Sequence, residues 1–438
     1  MIINNVVTTG PPLSVPSHLS FAQYAIDKLR ENSKDGDAVA VINGDTNQQI
    51  TFKQILQETV NIATGLTRLG VKRGDVVALC SENRDEFMPT ALAVPKLLFA
   101  SELALQRHLA TFKSQSSIEK IIQLNGKVAA SGILEYKSVG VPTNTNEYEP
   151  VEVEGWKDVA YILYSSGTTG LPKGVMLSHL NVLYSAASFE IENPLQNVVL
   201  LTIVPWYHAY GLMSTINYIL IKRKLVYLNG FNPVKYLTSI QEYKVSYNIS
   251  VPPIVVFLAK APIVEKFDLS SINIIWCGAA PLSAETIAGA LKRMKNCKGI
   301  FQAYGMTETS LTATKDIDDD KTARKPGSAG YPLNGVKAKV APAAVESVVL
   351  EHPGVAECGV VGAPDEAVGE LATAFVVKKP GATVTEKELL EFTASRLSSV
   401  SRLYGGIIFI DEIPKNPSGK ILRRALKQRL LDRQKSKL

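Results

Sequence analysis

The chain is poor in the residues that build disulfide scaffolds and zinc modules. Its four cysteines, Cys80, Cys277, Cys297 and Cys358, lie far apart, and none forms a Cys-x-x-Cys pair. That gives no zinc or redox motif, suits a reducing compartment and predicts buried small hydrophobes. Long apolar runs are missing too. The most apolar stretch, residues 87–105, is broken by Pro89, Pro95, Lys96 and Glu102, so no membrane span is expected. Residues 1–16 have no basic side chain and no apolar core, which excludes a secretory signal as the expectation. Repeats and low-complexity tracts are absent. Aromatic residues stop at Phe409, ahead of the C-terminal basic run of Lys415, Lys420, Arg423, Arg424, Lys427, Arg429, Arg433, Lys435 and Lys437. With nothing to stack on bases, that run reads as a solvated helix face, and no nucleic-acid partner is expected.

What is present is an ordinary globular balance, 46% hydrophobic and 20% charged, with a net charge of +6 over 438 residues. That length exceeds one compact core and predicts two or three domains. Strand-like and helix-like segments alternate, which argues α/β. The expected layout is a large N-terminal domain of layered α/β subdomains, residues 1–340, and a small α+β domain, residues 341–438. In residues 51–69, Ile55, Leu56, Val60, Ala63 and Leu66 recur at helical spacing, Thr51 with Gln54 makes a capping box, and Gly70 closes the end. Strands are expected at 76–80, 159–164, 198–204, 224–228 and 272–277. Residues 107–150 are weakly patterned. The last domain reads as a helix over 345–350, strands at 358–361 and 373–377, a helix over 386–396 and a basic tail helix.

The strongest chemical signal is the loop that follows the 159–164 strand. Ser165, Ser166, Gly167, Thr168, Thr169 and Gly170 offer hydroxyl and backbone N–H donors, and Lys173 adds a positive charge. Such a loop can wrap the phosphates of a nucleotide. It is not a Walker A loop, because Lys173 is followed by Gly174 and preceded by Pro172. Further glycine-rich or polar segments follow in order: Val204-Pro205-Trp206-Tyr207-His208-Ala209-Tyr210-Gly211, Gly278-Ala279-Ala280-Pro281, Tyr304-Gly305-Met306-Thr307-Glu308-Thr309, Gly327-Ser328-Ala329-Gly330-Tyr331-Pro332 and Pro414-Lys415-Asn416-Pro417-Ser418-Gly419-Lys420.

These motifs, in this order, resemble the adenylate-forming superfamily of acyl-CoA synthetases, 4-coumarate–CoA ligases and insect luciferases, over most of the chain. The resemblance implies activation of an aromatic or fatty carboxylic acid by ATP. Attack on the α-phosphate gives an acyl-adenylate and pyrophosphate, and the acyl group then passes to coenzyme A. Negative charge builds on the reacting phosphorus, so donors and cations are needed there. By resemblance, Ser165 to Lys173 hold the β- and γ-phosphates and Thr307 the α-phosphate. Glu308 binds Mg2+, and Tyr304 stacks on adenine beside Gly278, Ala279, Ala280 and Pro281, with Gly305 and Met306 in the same segment. Lys420 bridges the carboxylate and the α-phosphate as a point charge between two anions. His208 lies between the acyl pocket and coenzyme A, with Tyr210 and Gly211 in that pocket and Tyr207, Leu212 and Met213 near it. The tripeptide Ser436-Lys437-Leu438 reads as the address recognised by a peroxisomal import receptor. A luciferase-type monooxygenase acting through its adenylate is the alternative activity.

Two family segments are missing. Near 94/95 the chain passes from Ala91-Leu92-Ala93-Val94 directly to Pro95-Lys96-Leu97. Near 340/341 it passes from Lys337-Ala338-Lys339-Val340 to Ala341-Pro342-Ala343-Ala344. The second gap removes the ribose-binding Thr-Gly-Asp and the hinge about which the family's C-terminal domain rotates. Losing the ribose aspartate forfeits roughly 1.5–3 kcal/mol of charge-assisted hydrogen bonding. A catalytically impaired nucleotide-binding variant is therefore expected alongside the two activities.

Overall fold

The computed structural model describes every residue except 1, 4–5, 8–11, 94–96, 129, 166–172, 193–197, 317–329, 337, 340–341, 366–368, 398–401, 416–420 and 436–438. The chain forms two compact units, Ser14–Gly330, and Met1–Leu13 together with Tyr331–Leu438. The architecture is mixed α/β.

The larger unit is built on a central sheet. Its parallel strands are Val39–Asn43, Lys224–Tyr227, Val199–Thr202, Tyr247–Ser250, Ile274–Cys277 and Gly299–Tyr304, in that spatial order. Gln49–Thr51 and Thr314–Lys315 flank them antiparallel. Successive residues of a strand face opposite sides, so a sheet covered on both faces needs continuous apolar runs. The strands obey this. Val41, Leu200, Leu225 and Ile274 enter one core, with helices Phe21–Asn32, Phe52–Arg68, His179–Glu192 and Ala209–Leu220. Their neighbours Ile42, Leu201, Val226 and Ile275 enter the other, with helices Pro233–Glu242 and Pro252–Lys260. Each such buried side chain contributes about 1.5–3 kcal/mol of burial.

The 51–69 pattern folds as expected. Thr51 Oγ1 accepts from Gln54 N, and Gln54 Oε1 accepts from Thr51 N. The helix serves two sheets. Ile55, Leu56 and Val60 face the central core, while Ile62 and Leu66 join Phe99 and Ile122 of a second, parallel sheet. That sheet runs Ala78–Cys80, Leu98–Ala100, Ile121–Gln123, Ile133–Glu135. On the near side of the 94/95 junction, helix Phe87–Ala93 ends; beyond it, Leu98–Ala100 pairs directly with Ala78–Cys80. The weakly patterned stretch holds helix Glu102–Ser114, started by Ser101 Oγ accepting from Ala104 N, and two of these strands.

In the smaller unit, Val355–Asp365 pairs antiparallel with Gly369–Lys378, which pairs parallel with Ile407–Phe409. Helices Pro342–Leu350, Glu386–Ala394 and Arg423–Lys435 accompany this sheet. The terminal helix is docked: Leu426 and Leu430 are buried, Arg423 pairs with Glu346, and Lys427 pairs with Glu370. The basic run expected to be a solvated face is thus partly used for packing. Ile2–Ile3, Val6–Val7 and Ala338–Lys339 form a short antiparallel sheet.

Burial pushes the Cys277 thiol up to about 12, and burial with the nearby Glu346 charge pushes Cys358 up to about 12. Thiolates are the reactive form. Iodoacetamide at pH 8 is expected to spare both cysteines in the folded chain and to label them after denaturation. Peptide mapping would show this, and equal native labelling at all cysteines would contradict it.

Candidate active site

In the central sheet the parallel strands send their following loops to one edge, the carboxyl edge, where open α/β sheets bind ligands. Three of the motifs lie there. Val199–Thr202 leads to 203–208, Ile274–Cys277 to 278–281, and Gly299–Tyr304 to 305–309.

The turn 278–281 is anchored at both ends. Gly278 N donates to Ser250 O at 3.2 Å, and Leu282 N donates to the Gln302 side chain at 2.8 Å. Between them Ala279 sits at φ 71°. A non-glycine residue there is strained, of the kind concentrated at functional sites. Ala280 and Pro281 are exposed.

Tyr304 ends its strand half-exposed, at 53%. Gly305 and Met306 follow, and Thr307–Thr309 forms a 3-10 turn closed by Thr309 N donating to Met306 O at 3.1 Å. Thr307 is half-buried and Glu308 exposed. This turn lies against both strands of an antiparallel hairpin, Val159–Ser165 and Lys173–Ser178. In its register Ser165 pairs with Lys173, so these two residues close the base of the loop 166–172. The loop itself, with Ser166, Gly167, Thr168, Thr169 and Gly170, lies outside the described residues.

His208 is exposed at the N-terminus of helix Ala209–Leu220, with its ring 4.5 Å from that of Tyr207. Tyr210 donates its hydroxyl to Ser250 O at 3.2 Å and to Trp276 O at 3.4 Å, tying this helix to two strand ends. Burial pushes its hydroxyl above the usual tyrosine range. A Cβ on Gly211 would lie 2.2 Å from Pro205 O, so only glycine fits. Leu212 and Met213, read as pocket neighbours, face the core.

Sequence reasoning missed Asn83. It is buried, accepts from Trp206 N at 2.7 Å and donates to Val204 O at 3.1 Å. It therefore fixes the loop that carries Tyr207 and His208. The only signal was a polar residue just beyond an expected strand, which by itself points nowhere.

Lys420 and the tripeptide Ser436-Lys437-Leu438 lie outside the described residues. Lys415 bridges to Ile421, and Leu422 N donates to Pro414 O at 2.8 Å, which brings together the ends of the segment 416–420.

The AMP-binding enzyme family matches residues 29–356, and the AMP-binding enzyme C-terminal domain matches residues 344–420. Luciferin 4-monooxygenase of Nipponoluciola cruciata is 28% identical over 532 aligned positions, covering 96% of this chain and 97% of that protein. That alignment is longer than the 438 residues of this chain, so the relative carries positions with no counterpart here. A probable 4-coumarate–CoA ligase 1 of Dictyostelium discoideum is 30% identical, covering 89% of this chain and 92% of its own length. Among solved structures, a natural red emitting luciferase from Phrixothrix hirtus superposes with a TM-score of 0.66 at 27% identity, covering 98% of this chain and 99% of its own. The chain belongs to the AMP-binding enzyme family, the adenylate-forming enzymes whose relatives include CoA ligases and luciferases.

Proposed function

We propose that the chain is an ATP-dependent acid–thiol ligase. It activates an aromatic or fatty carboxylic acid as the acyl-adenylate, releases pyrophosphate and transfers the acyl group to coenzyme A. The observation that carries this reading is the meeting of the Thr307–Thr309 turn with the Ser165/Lys173 hairpin. Donors and a cation for a triphosphate then stand beside the turn that follows Tyr304. In this reading the phosphate loop and Lys173 take the β- and γ-phosphates, and the Thr307 hydroxyl takes the α-phosphate. Tyr304 and the turn 278–281 take adenine. Lys420 supplies a point charge to the carboxylate and phosphate that must approach each other. His208 and Tyr210 border the acyl group.

Glu308 fits a magnesium ligand. It is exposed and pairs with no cation among the described residues, and Mg2+ is commonly held by one or two carboxylates plus substrate phosphates. When bound, the ion neutralises phosphate charge. Ser436-Lys437-Leu438 supports a peroxisomal location through an import receptor.

Calorimetry with ATP and magnesium, followed by pyrophosphate release over a panel of aromatic and fatty acids, tests the reading. Binding with slow release is expected, since the ribose aspartate and hinge segment are absent. No affinity for ATP in a folded sample would end the ligase account. Turnover equal to that of a full-length relative would end the account of impairment. The several luciferin 4-monooxygenases among the relatives support the second activity, oxidation of an adenylate. Light emission with luciferin and ATP would decide for it.

A further inference from the structure

The smaller unit contains a pocket that the proposed reaction does not use. Its volume is about 440 Å³, within the range of roughly 300–1,000 Å³ typical of small-molecule sites. Val345, Val361 and Leu431 contribute apolar wall, and Arg423, Arg424 and Lys427 line it from the terminal helix. Their spacing puts these cations on one helical face.

The charges in this pocket do not cancel. Arg423 Nη2 donates to both carboxylate oxygens of buried Glu346, at 2.8 Å each. Its Nε is buried and has no acceptor. Lys427 is matched by Glu370. Arg424 is exposed and pairs with no acid among the described residues. Two acids thus answer two of the three cations, leaving one positive charge and one buried N–H donor beside an apolar wall. The surplus of one charge suits a monoanion. A dianionic phosphate would meet Glu346 and Glu370 with too little compensation.

We propose that this pocket binds an amphipathic monocarboxylate of medium chain length. The carboxylate pairs with Arg424, and the chain lies along Leu431 over the buried Val345 and Val361. Arginine suits this recognition because its planar fork matches carboxylate geometry. The site takes the same chemical class that the proposed ligase consumes, on a different unit from the Tyr304 turn. It needs neither ATP nor turnover, so it stands independently of the ligase reading.

Sodium decanoate, kept below its micellar range, would be titrated into the full chain by calorimetry. A saturable site is expected, and Arg424→Glu and Leu431→Glu should each weaken it by roughly ten-fold or more, about 1.4 kcal/mol. Both variants should keep the wild-type melting temperature and ATP heat. Methyl decanoate, which keeps the chain and loses the charge, should bind at least roughly ten-fold more weakly. Absence of a saturable site, equal affinity in both variants, or equal binding of the ester would overturn the proposal. Missing ATP heat in the same samples would sink the ligase reading and leave this one standing.

Discussion

Gly305→Ala is expected to cost at least ~3 kcal/mol of stability and to weaken ATP binding by roughly a hundred-fold. The chain reverses just after Tyr304, and Ala313 N donates back to Tyr304 O at 2.8 Å. A Cβ at position 305 would lie 1.6 Å from the Leu311 carbonyl oxygen and 2.7 Å from its carbon. Both partners are backbone, so no rotamer change relieves the clash. The turn has little slack, because Ser310 sits at φ 57° and Leu311 at φ 132°, each a costly conformation of order 1–3 kcal/mol. Opening the turn would carry Thr307 and Glu308 away from the hairpin. Urea denaturation and ATP calorimetry measure the two effects separately. Ala279→Gly is the opposite control. It relieves φ 71° at the neighbouring turn and should give a net gain of about 0.5–1 kcal/mol after the entropy cost of glycine. Wild-type values for Gly305→Ala in both measurements would show that the close approach does not shape the site.

Much of the fold around the candidate site was legible because its signals are local. The Thr51/Gln54 capping box needs only neighbours three residues apart, and it formed as read. The strand ahead of the loop 166–172 and the strand ahead of the turn 278–281 are short apolar runs, closed by serines in the first case and by glycine in the second, and both are strands. Contacts distant in sequence were not legible. Asn83 meets Trp206 across more than a hundred residues, and no periodicity announces such a bond. Leu212 and Met213 sit beside His208 in sequence, yet helical geometry turns them to the core while His208 stays at the exposed cap. Helix Glu102–Ser114 escaped because it buries Leu105 and little else, leaving a weak apolar stripe. Residues Ile2–Val7 carry no sign that they pair with Ala338–Lys339, since two-residue strands have no readable alternation.

Asn83→Leu is expected to cost about 2–5 kcal/mol, by a mechanism that its partner Asn83→Asp separates from simple packing loss. Leucine is close to asparagine in shape and leaves little cavity. It also leaves the Trp206 N–H and the Val204 carbonyl buried without this partner, and each such group costs about 1–3 kcal/mol. Trp206 cannot easily move to compensate. Its ring is 1% exposed and packs 4.7 Å from Tyr227 and 5.7 Å from Phe87. The loop 203–208 must loosen instead, and His208 with it. In Asn83→Asp the carboxylate still accepts from Trp206 N but has no proton to give Val204 O. Burial raises the pKa of a carboxyl group there, as it raises that of nearby Asp85. The folded state then holds its proton more tightly than the unfolded state, so stability falls as pH rises above about 4, the unfolded value, and levels off above the folded value. Below that window the protonated group can donate to Val204 O, and the deficit relative to wild type should shrink. The deficit of Asn83→Leu has no titrating group behind it and should stay constant. Urea midpoints from pH 5 to 8 separate the cases: parallel profiles for the two variants would mean that packing around Trp206, and not hydrogen bonding by Asn83, holds the His208 loop in place.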